Sequence, residues 1–588
     1  VENEQFQATQ PGVEIDPWIE YLCQPPFSQA RFEISAKKLM QQVLDAMQQG
    51  NSCLPAEQNS LSLLHDLVGD AQKAHSLAPF IYDHGQLYLY RYWALEKSVA
   101  EHVVRIQANS IVPVDLSEHQ QQLLSDPYQQ QALNMVVEQG LSMITGGPGT
   151  GKTFTLAHII AVLNQALPNI RIAMAAPTGK AAQRMKEALQ NALHSEALAD
   201  FDVQALKQLQ PVTLHRLLGL GNQAQPKFHA KQPLPYDVIV VDEASMLDLQ
   251  LSQMLFAAVP NHARLILLGD ADQLASVDVG SVLADLQQVS ELKKNHVHLM
   301  KTRRFADGAQ IGVMARFIQQ DDMAQDVLAQ FEQNVVQATE LQPISLHDID
   351  VDYAQLEYLT DEKLSASVLE QYYTKLMYGY ADYVQALKQG QDQQSFNAYV
   401  AHTIEIFDQY RILTAIRHGA FGLHQLNMQI EQRLLNQLGR VKQGEWYEGR
   451  PVMMTYNDYQ LGLSNGDIGI CFLREHDGRS QFEVYFSSLE KWVLATRLPK
   501  NIETAFALTI HKSQGSEFAH TAVVLDHLAK NLLSKELIYT AITRAKKVVS
   551  LLVNRDAFTQ ALTIKTTRHS GLSQKIVEQY RNFNEYVN

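Results

Sequence analysis

The chain has 588 residues, is 46% hydrophobic and 19% charged, and carries a net charge of −15. That length is too great for one core and predicts about three or four domains. No apolar run reaches about 18 residues and no charged-then-apolar leader opens the chain, so neither a membrane span nor a secretory signal is expected.

Cys23, Cys53 and Cys471 lie far apart and make no metal spacing, which fits a reducing cytoplasm. An acidic balance argues against a nucleic-acid partner, because phosphate binding wants basic surface. The acidity is local, however. Residues 321–370 hold 12 Asp or Glu and one Lys, leaving only −4 for the other 538 residues, so a basic groove elsewhere is compatible with the composition.

Residues 1 to about 115 are helical in pattern, as in Leu39, Met40, Val43, Leu44 and Met47. Aromatic and apolar residues around Asp83-His84-Gly85 predict a hairpin there. No chemistry is legible in this stretch, and a docking or scaffold role fits it best. Gln129 follows, 17 residues before Gly146, with an amide that can read an adenine edge by donating and accepting.

Gly146-Gly147-Pro148-Gly149-Thr150-Gly151-Lys152-Thr153 is the strongest motif in the chain. An apolar strand, Leu141 to Ile144, precedes it, and a helical pattern, Phe154 to Leu163, follows. Strand, glycine-rich loop and helix form a phosphate cradle, with curled backbone N–H groups and a helix N-terminus facing an anion. Lys152 is placed to reach the β- and γ-phosphates, and the Thr153 hydroxyl to ligate Mg²⁺.

A second strand, Ile172 to Ala176, ends in Pro177-Thr178-Gly179-Lys180-Ala181-Ala182. Thr178 and Lys180 suit a phosphate contact on a polymer, though a plain strand–helix cap reads almost as well. Thr213 and His215 open a helix in the same manner. Between Leu218 and Val238, glycines and prolines bracket Lys227-Phe228-His229-Ala230-Lys231, a length suited to a small projecting hairpin. Phe228 and His229 there are candidates to stack on bases, and a plain surface loop is the alternative.

Val238 to Val241 is a buried strand running into Asp242 and Glu243. Asp242 can hold Mg²⁺ through water, and Glu243 can orient an attacking water. Leu265 to Leu268 is another such strand, and Gln273 beyond it can sense a γ-phosphate. Arg304, in Thr302-Arg303-Arg304-Phe305, offers a cation to the same phosphate. Residues 321–410 read as an acidic, helical, solvated insertion. Residues 450–503 alternate in short strands with turns at Asn465-Gly466 and Asp477-Gly478, as in a small β-barrel. Strand and helix patterns then resume, through His511-Lys512-Ser513-Gln514-Gly515-Ser516-Glu517-Phe518 and a helix expected to carry Arg544. Brought to the first domain's nucleotide by a second α/β domain, Arg544 makes an arginine finger.

In their order, over roughly residues 125–550, these segments resemble the superfamily 1 helicases. The motifs of that family fall on Gln129, on 146–153, on 175–182, on Asp242-Glu243-Ala244-Ser245, on 268–274, around Arg304, on Thr509 to Phe518 and on Tyr539 to Lys546. The resemblance implies an α/β fold of two RecA-like P-loop domains with parallel sheets, a helical N-terminal domain and a small SH3-like β-barrel insertion. It divides the chain into a partner-docking domain (1–115), a first ATPase domain (116–300, with a hairpin insertion at 219–235) and a second (301–588, with insertions at 321–410 and 450–503).

It further implies ATP and Mg²⁺ as cofactors and His511, Lys512, Ser513 and Gln514 as DNA contacts. The wording of the motifs is most similar to the helicase subunit of heterotrimeric bacterial helicase–nucleases. That likeness implies 5′→3′ translocation on single-stranded DNA, action at double-strand ends, and two partner subunits, one of which carries the nuclease. Stand-alone relatives carry a longer N-terminal region than the 145 residues found here before the P-loop. An RNA helicase of the same superfamily, a nucleotide-switched assembly factor and a structural subunit with a dead motor are the competing readings.

Overall fold

The computed structural model describes residues 14–587 except 74–76, 222–224, 303, 305–308, 322–325 and 391–394, and leaves the side chains of 585–587 undescribed. Asn222, Gln223 and Ala224 of the expected hairpin, Arg303 and Phe305, and parts of the acidic segment therefore lie outside the described residues.

Two parallel sheets organise the chain. The first runs in the order His296–Leu299, Leu141–Gly146, Arg264–Gly269, Val238–Val241, Ile172–Ala176, Val212–Thr213, with every neighbouring pair parallel. Its strands read as continuous apolar runs because both faces are buried. Met143, Leu265, Leu267, Ile239 and Val241 enter the core on one face, while Ile144, Ile266, Leu268, Val238 and Val240 enter the core on the other. Alternation is hidden when both sides exclude water.

The second sheet follows the same logic in the order Tyr353–Tyr358, Ala545–Val553, Phe518–Leu525, Tyr410–Thr414, Ala507–Thr509, again all parallel. The α/β class and the two parallel sheets are thus as the sequence predicts. Among the described residues no helix is long and apolar enough to cross a membrane.

The stretch 321–410 corrects one expectation, since it is not simply a solvated insertion. Tyr353–Tyr358 is the edge strand of the second sheet, and the helices after it bury Tyr372, Tyr373, Tyr380, Tyr383 and Tyr399. The hydroxyls of Tyr380 and Tyr383 donate to the carbonyls of Phe506 and Gly449 at 2.5 and 2.7 Å, so these rings are buried with their polar ends satisfied. Acidic residues on the outer faces gave the segment its solvated composition.

At 451–504 the structure forms a five-stranded antiparallel sheet in the order Lys491–Leu494, Arg479–Phe486, Ile468–His476, Pro451–Met453, Glu503–Thr504. Its two edge strands do not pair with each other, so the ladders do not close it into a barrel.

The N-terminal region is more than helical. The expected hairpin, Phe80–Asp83 with Gln86–Leu89, belongs to a four-stranded sheet. The long helix after it, Tyr90–Gln107, packs into the first sheet's core together with the C-terminal helix Leu572–Val587. The end of the chain therefore returns from the second sheet to the first.

A buried polar cluster fixes that return. Lys575 pairs with Glu96 at 3.0 Å and Asp83 at 3.3 Å and donates to the Tyr88 hydroxyl at 2.9 Å. Arg568, on the connecting segment, donates to the carbonyls of Ser276, Asp278 and Gly280. Removing one partner of a buried ion pair strands the other charge, so Lys575→Met is expected to cost about 3–5 kcal/mol. Scanning calorimetry should then show the first unfolding transition several degrees lower, and an unmoved transition would mean the cluster carries no such weight.

Candidate active site

The glycine-rich loop links strand Leu141–Gly146 to helix Lys152–Ala166. Gly151, at φ 85°, is the residue just before that helix, and a Cβ there would lie 2.6 Å from the Gln129 amide nitrogen. Gly149 is tighter still. At φ 74°, its Cβ would stand 2.0 Å from that of Arg304. Both positions combine left-handed backbone with close approach, which only glycine tolerates. Lys152 folds its ammonium back onto the carbonyls of Gly146 and Gly147 at 2.6 and 3.2 Å, and Thr150 Oγ1 donates to Gly147 O at 2.7 Å.

Gln129 sits in the first turn of helix Pro127–Glu138, which Asp126 caps. Its side-chain nitrogen approaches Thr150 O at 3.5 Å, while its buried Oε1 has no hydrogen-bond partner among the described residues. A buried acceptor of this kind, beside the loop, suits an adenine amine.

Asp242 follows strand Val238–Val241 and, with Thr153, lines a cavity of about 220 Å³. Burial, reinforced by Glu243, pushes the Asp242 carboxyl up to about 6, against the pull of Lys152. A buried carboxylate held this high gains from a nearby cation, and a bound divalent ion fits that donor set. Glu243 takes a left-handed backbone, φ 52°, and its N–H donates to Asp242 Oδ1 at 2.8 Å, while both residues line the same cavity.

Gln273 is buried beside Asp270, to which its amide donates at 3.2 Å. Burial raises Asp270 to about 6 as well, again opposed by Lys152. Asp270 also accepts from the Tyr539 hydroxyl at 3.0 Å, and that hydroxyl would lie 3.0 Å from a Cβ on Gly147. Leu274 N donates to Thr540 Oγ1 at 2.8 Å, so the loop after strand Arg264–Gly269 bears directly on the second domain.

Arg544 stands just past helix Lys535–Ile542 rather than on it, because Thr543 closes the helix and strand Ala545–Val553 begins one residue later. It is 2% exposed and donates to the carbonyls of Thr540 and Ser516, both at 3.1 Å. Burial lowers its pKa, and Glu243 is the strongest of the carboxylates holding it charged. Arg304 pairs with Glu517 at 3.1 Å, and Thr302 Oγ1 donates to Pro148 O.

Four residues assigned no role from sequence complete the cleft. Glu517 accepts from Arg184 at 2.6 Å and faces Lys546 at 3.6 Å, while Tyr539 reaches Asp270 as above. Burial would raise Glu517, but Arg184, Arg304, Arg544 and Lys546 together outweigh it and hold the carboxyl at about 2. The signal for Glu517 was its place inside the His511–Phe518 motif. For Arg184 it was the spacing of one helical turn from Lys180.

The expected DNA contacts divide into two groups. Thr178 caps helix Gly179–Ala192, Thr213 caps Leu214–Leu218, and the strands ahead of them pair Ala176 with Thr213. Lys180 and His215 open these two helices at one sheet edge. A Cβ on Gly515 would meet Thr178 Oγ1 at 3.2 Å, one on Gly179 would meet Asp467 at 2.7 Å, and Lys512 donates to Asn465 at 2.7 Å. Both parallel domains and the antiparallel sheet thus converge beside Thr178, with His511 on the adjoining turn.

Ser513 and Gln514 do not face outward. Ser513 donates to Ile510 O within its own turn, and Gln514 donates to Leu274 O across the domain cleft, both from buried positions. Phe228 is half-buried on the first core and anchors its loop, while exposed His229 exchanges two backbone hydrogen bonds with Gln232 at the tip.

A P-loop domain and a second parallel domain that meet across this cleft have the architecture of a helicase motor. The family model of an AAA domain matches residues 129–279, and that of a UvrD-like helicase C-terminal domain matches 504–552. The chain is 34% identical over 514 residues to the RecBCD enzyme subunit RecD of Mycolicibacterium smegmatis, covering 83% of this chain and 82% of that one. It is 32% identical over 573 residues to RecD of Haemophilus influenzae, covering 89% and 85%. The ATP-dependent RecD2 DNA helicase of Deinococcus radiodurans is 28% identical over 421 residues, 71% of this chain and 47% of that one. The chain belongs to the RecD family.

Proposed function

We infer that this chain is the ATP-dependent 5′→3′ DNA helicase subunit of a RecBCD-type helicase–nuclease that acts at double-strand ends in recombinational repair. In this reading RecB and RecC are its partners, the nuclease lies on a partner, and the cytoplasm is its compartment. One observation carries the motor. The cleft that holds Lys152 and Asp242 from one parallel domain is completed by Glu517 and Arg544 from the other.

Gly146 to Thr153 would cradle the triphosphate of ATP, with Gln129 at the base, and Thr153 and Asp242 would hold Mg²⁺, which supplies charge neutralisation at the phosphates. Glu243 orients water and accepts its proton. Gln273 and Arg304 read the terminal phosphate, and Arg544 stabilises charge that develops on it. Closure is coupled to chemistry because these groups come from both sides of the cleft. The alternating grip acts through Thr178, Lys180, Thr213 and His215 on one domain and His511 and Lys512 on the other. Residues 1–115 are assigned to docking on the partners, apart from helix Tyr90–Gln107, which is part of the first domain's core.

Direction and substrate are tested together with tailed duplexes. Unwinding of 5′-tailed duplex DNA is expected, with none of the 3′-tailed form, and DNA is expected to outcompete RNA as stimulator of ATP turnover. Preference for the 3′ tail would overturn the polarity, and equal stimulation by RNA would overturn the substrate.

A further inference from the structure

Arg184 stands one turn beyond Lys180 on helix Gly179–Ala192 and reaches both sides of the cleft. One guanidinium nitrogen lies 3.8 Å from a Glu243 carboxylate oxygen and donates to Gly515 O at 2.8 Å. The other pairs with Glu517 at 2.6 Å. A single side chain therefore ties the carboxylate that orients water in the first domain to a carboxylate of the second. The guanidinium is a rigid planar fork, so it cannot follow two acceptors that move apart. Its shorter and stronger hold is on Glu517.

The same helix begins at the place where strand contacts converge. Thr178 and Gly179, at its start, meet Gly515 and Asp467. Movement of this helix start against the 515–517 segment changes the distance from Arg184 to Glu517, and a guanidinium that follows Glu517 leaves Glu243. Glu517 is the fixed end of the link, since Arg304 and Lys546 also hold it at 3.1 and 3.6 Å. Glu243 is the end that can be let go.

We propose that Arg184 is a positioning residue that restrains Glu243 until single-stranded DNA engages the start of its helix, and so makes ATP hydrolysis depend on DNA. The proposal rests on the DNA-motor reading above. Engagement of phosphates beside Thr178 and Lys180 shifts the helix, the Arg184–Glu243 contact is lost, and Glu243 turns to the water it must orient. Coupling then needs no long pathway, because the strand contact and the catalytic carboxylate are separated by one helical turn and one side chain.

The test is ATP turnover by the full chain with and without oligodeoxythymidylate, in the wild type, Arg184→Lys, Glu517→Gln and the double variant. Lysine keeps the charge and one contact but cannot span both carboxylates. In Arg184→Lys, DNA-free turnover is expected to rise at least about 5-fold, the lower end of ordinary coupling between sites. The stimulation ratio should fall accordingly, while KM for ATP and Kd for the oligonucleotide stay within about twofold. Glu517→Gln should lower the ratio too, because Arg184 released from the second domain is no longer drawn off Glu243. That substitution also loosens Arg304 and Lys546, so the deciding comparison is the double variant, in which Arg184→Lys should add no further change to the ratio. An unchanged ratio in Arg184→Lys, an additive double variant, or an effect confined to KM or Kd would overturn the proposal. A wild-type chain that DNA does not stimulate would sink the motor reading and this proposal with it. A stimulated wild type beside an unaltered Arg184→Lys sinks the proposal alone.

Discussion

Lys152→Gln is expected to abolish ATP hydrolysis, by at least about 10²–10³-fold, while leaving the fold intact. Among the described residues the ammonium donates to the carbonyls of Gly146 and Gly147 and makes no salt bridge, so its loss breaks no direct ion pair. Glutamine keeps much of the length and can still donate to those carbonyls. What it lacks is the charge that offsets the developing negative charge on the phosphates and that pulls on Asp242 and Asp270. Both carboxyls should rise further in the variant, weakening the divalent-ion site as well. Circular dichroism should match the wild type while DNA-stimulated turnover disappears. Wild-type-like turnover would remove the nucleotide assignment altogether.

Arg544→Ala is expected to lower kcat by roughly 10³-fold or more, with nucleotide affinity changed much less. An arginine finger acts on charge that exists only in the transition state, so ground-state binding has little to lose. The structure adds a control. Arg544 also satisfies the carbonyls of Thr540 and Ser516 from a buried position, so the alanine variant loses local order together with charge. Arg544→Lys keeps the charge and loses the fork. If lysine restores stability but not turnover, the guanidinium geometry matters to the chemistry. A loss appearing chiefly as weaker nucleotide binding would make Arg544 a ground-state ligand.

Most of the nucleotide-site backbone was legible in the sequence because strong local rules write it. Ile172–Ala176 and Val238–Val241 are short apolar runs ended by turn or acidic residues, and both are strands within those bounds. The glycine-rich loop stood out because left-handed backbone and close packing leave no other residue type for Gly149 and Gly151. The domain cleft was less legible, since it depends on contacts between residues hundreds of positions apart. Glu517 has an ordinary acidic side chain in sequence, and only folding brings Arg184, Arg304 and Lys546 around it.

Ser513 and Gln514 show the same limit from the other side. Polar residues in a strand-contacting motif are equally suited to hold a turn or bridge two domains, and here they do that. Tyr353–Tyr358 was hidden because an edge strand of alternating polar and apolar residues lies inside a stretch whose charge signals solvent.

The return of the C-terminal helix to the first sheet has a mechanical consequence. The chain passes from the first domain to the second after His296–Leu299, and passes back between helix Arg555–Thr563 and helix Leu572–Val587. Two covalent crossings define a line, as two pins define the axis of a door. The simplest relative motion that leaves both crossings in place is a swing about that line. The second pin is seated by Arg568 on the carbonyls of Ser276, Asp278 and Gly280, a few residues beyond Gln273. A swing about that line would open and close the cleft, with Gln273 close to its second crossing.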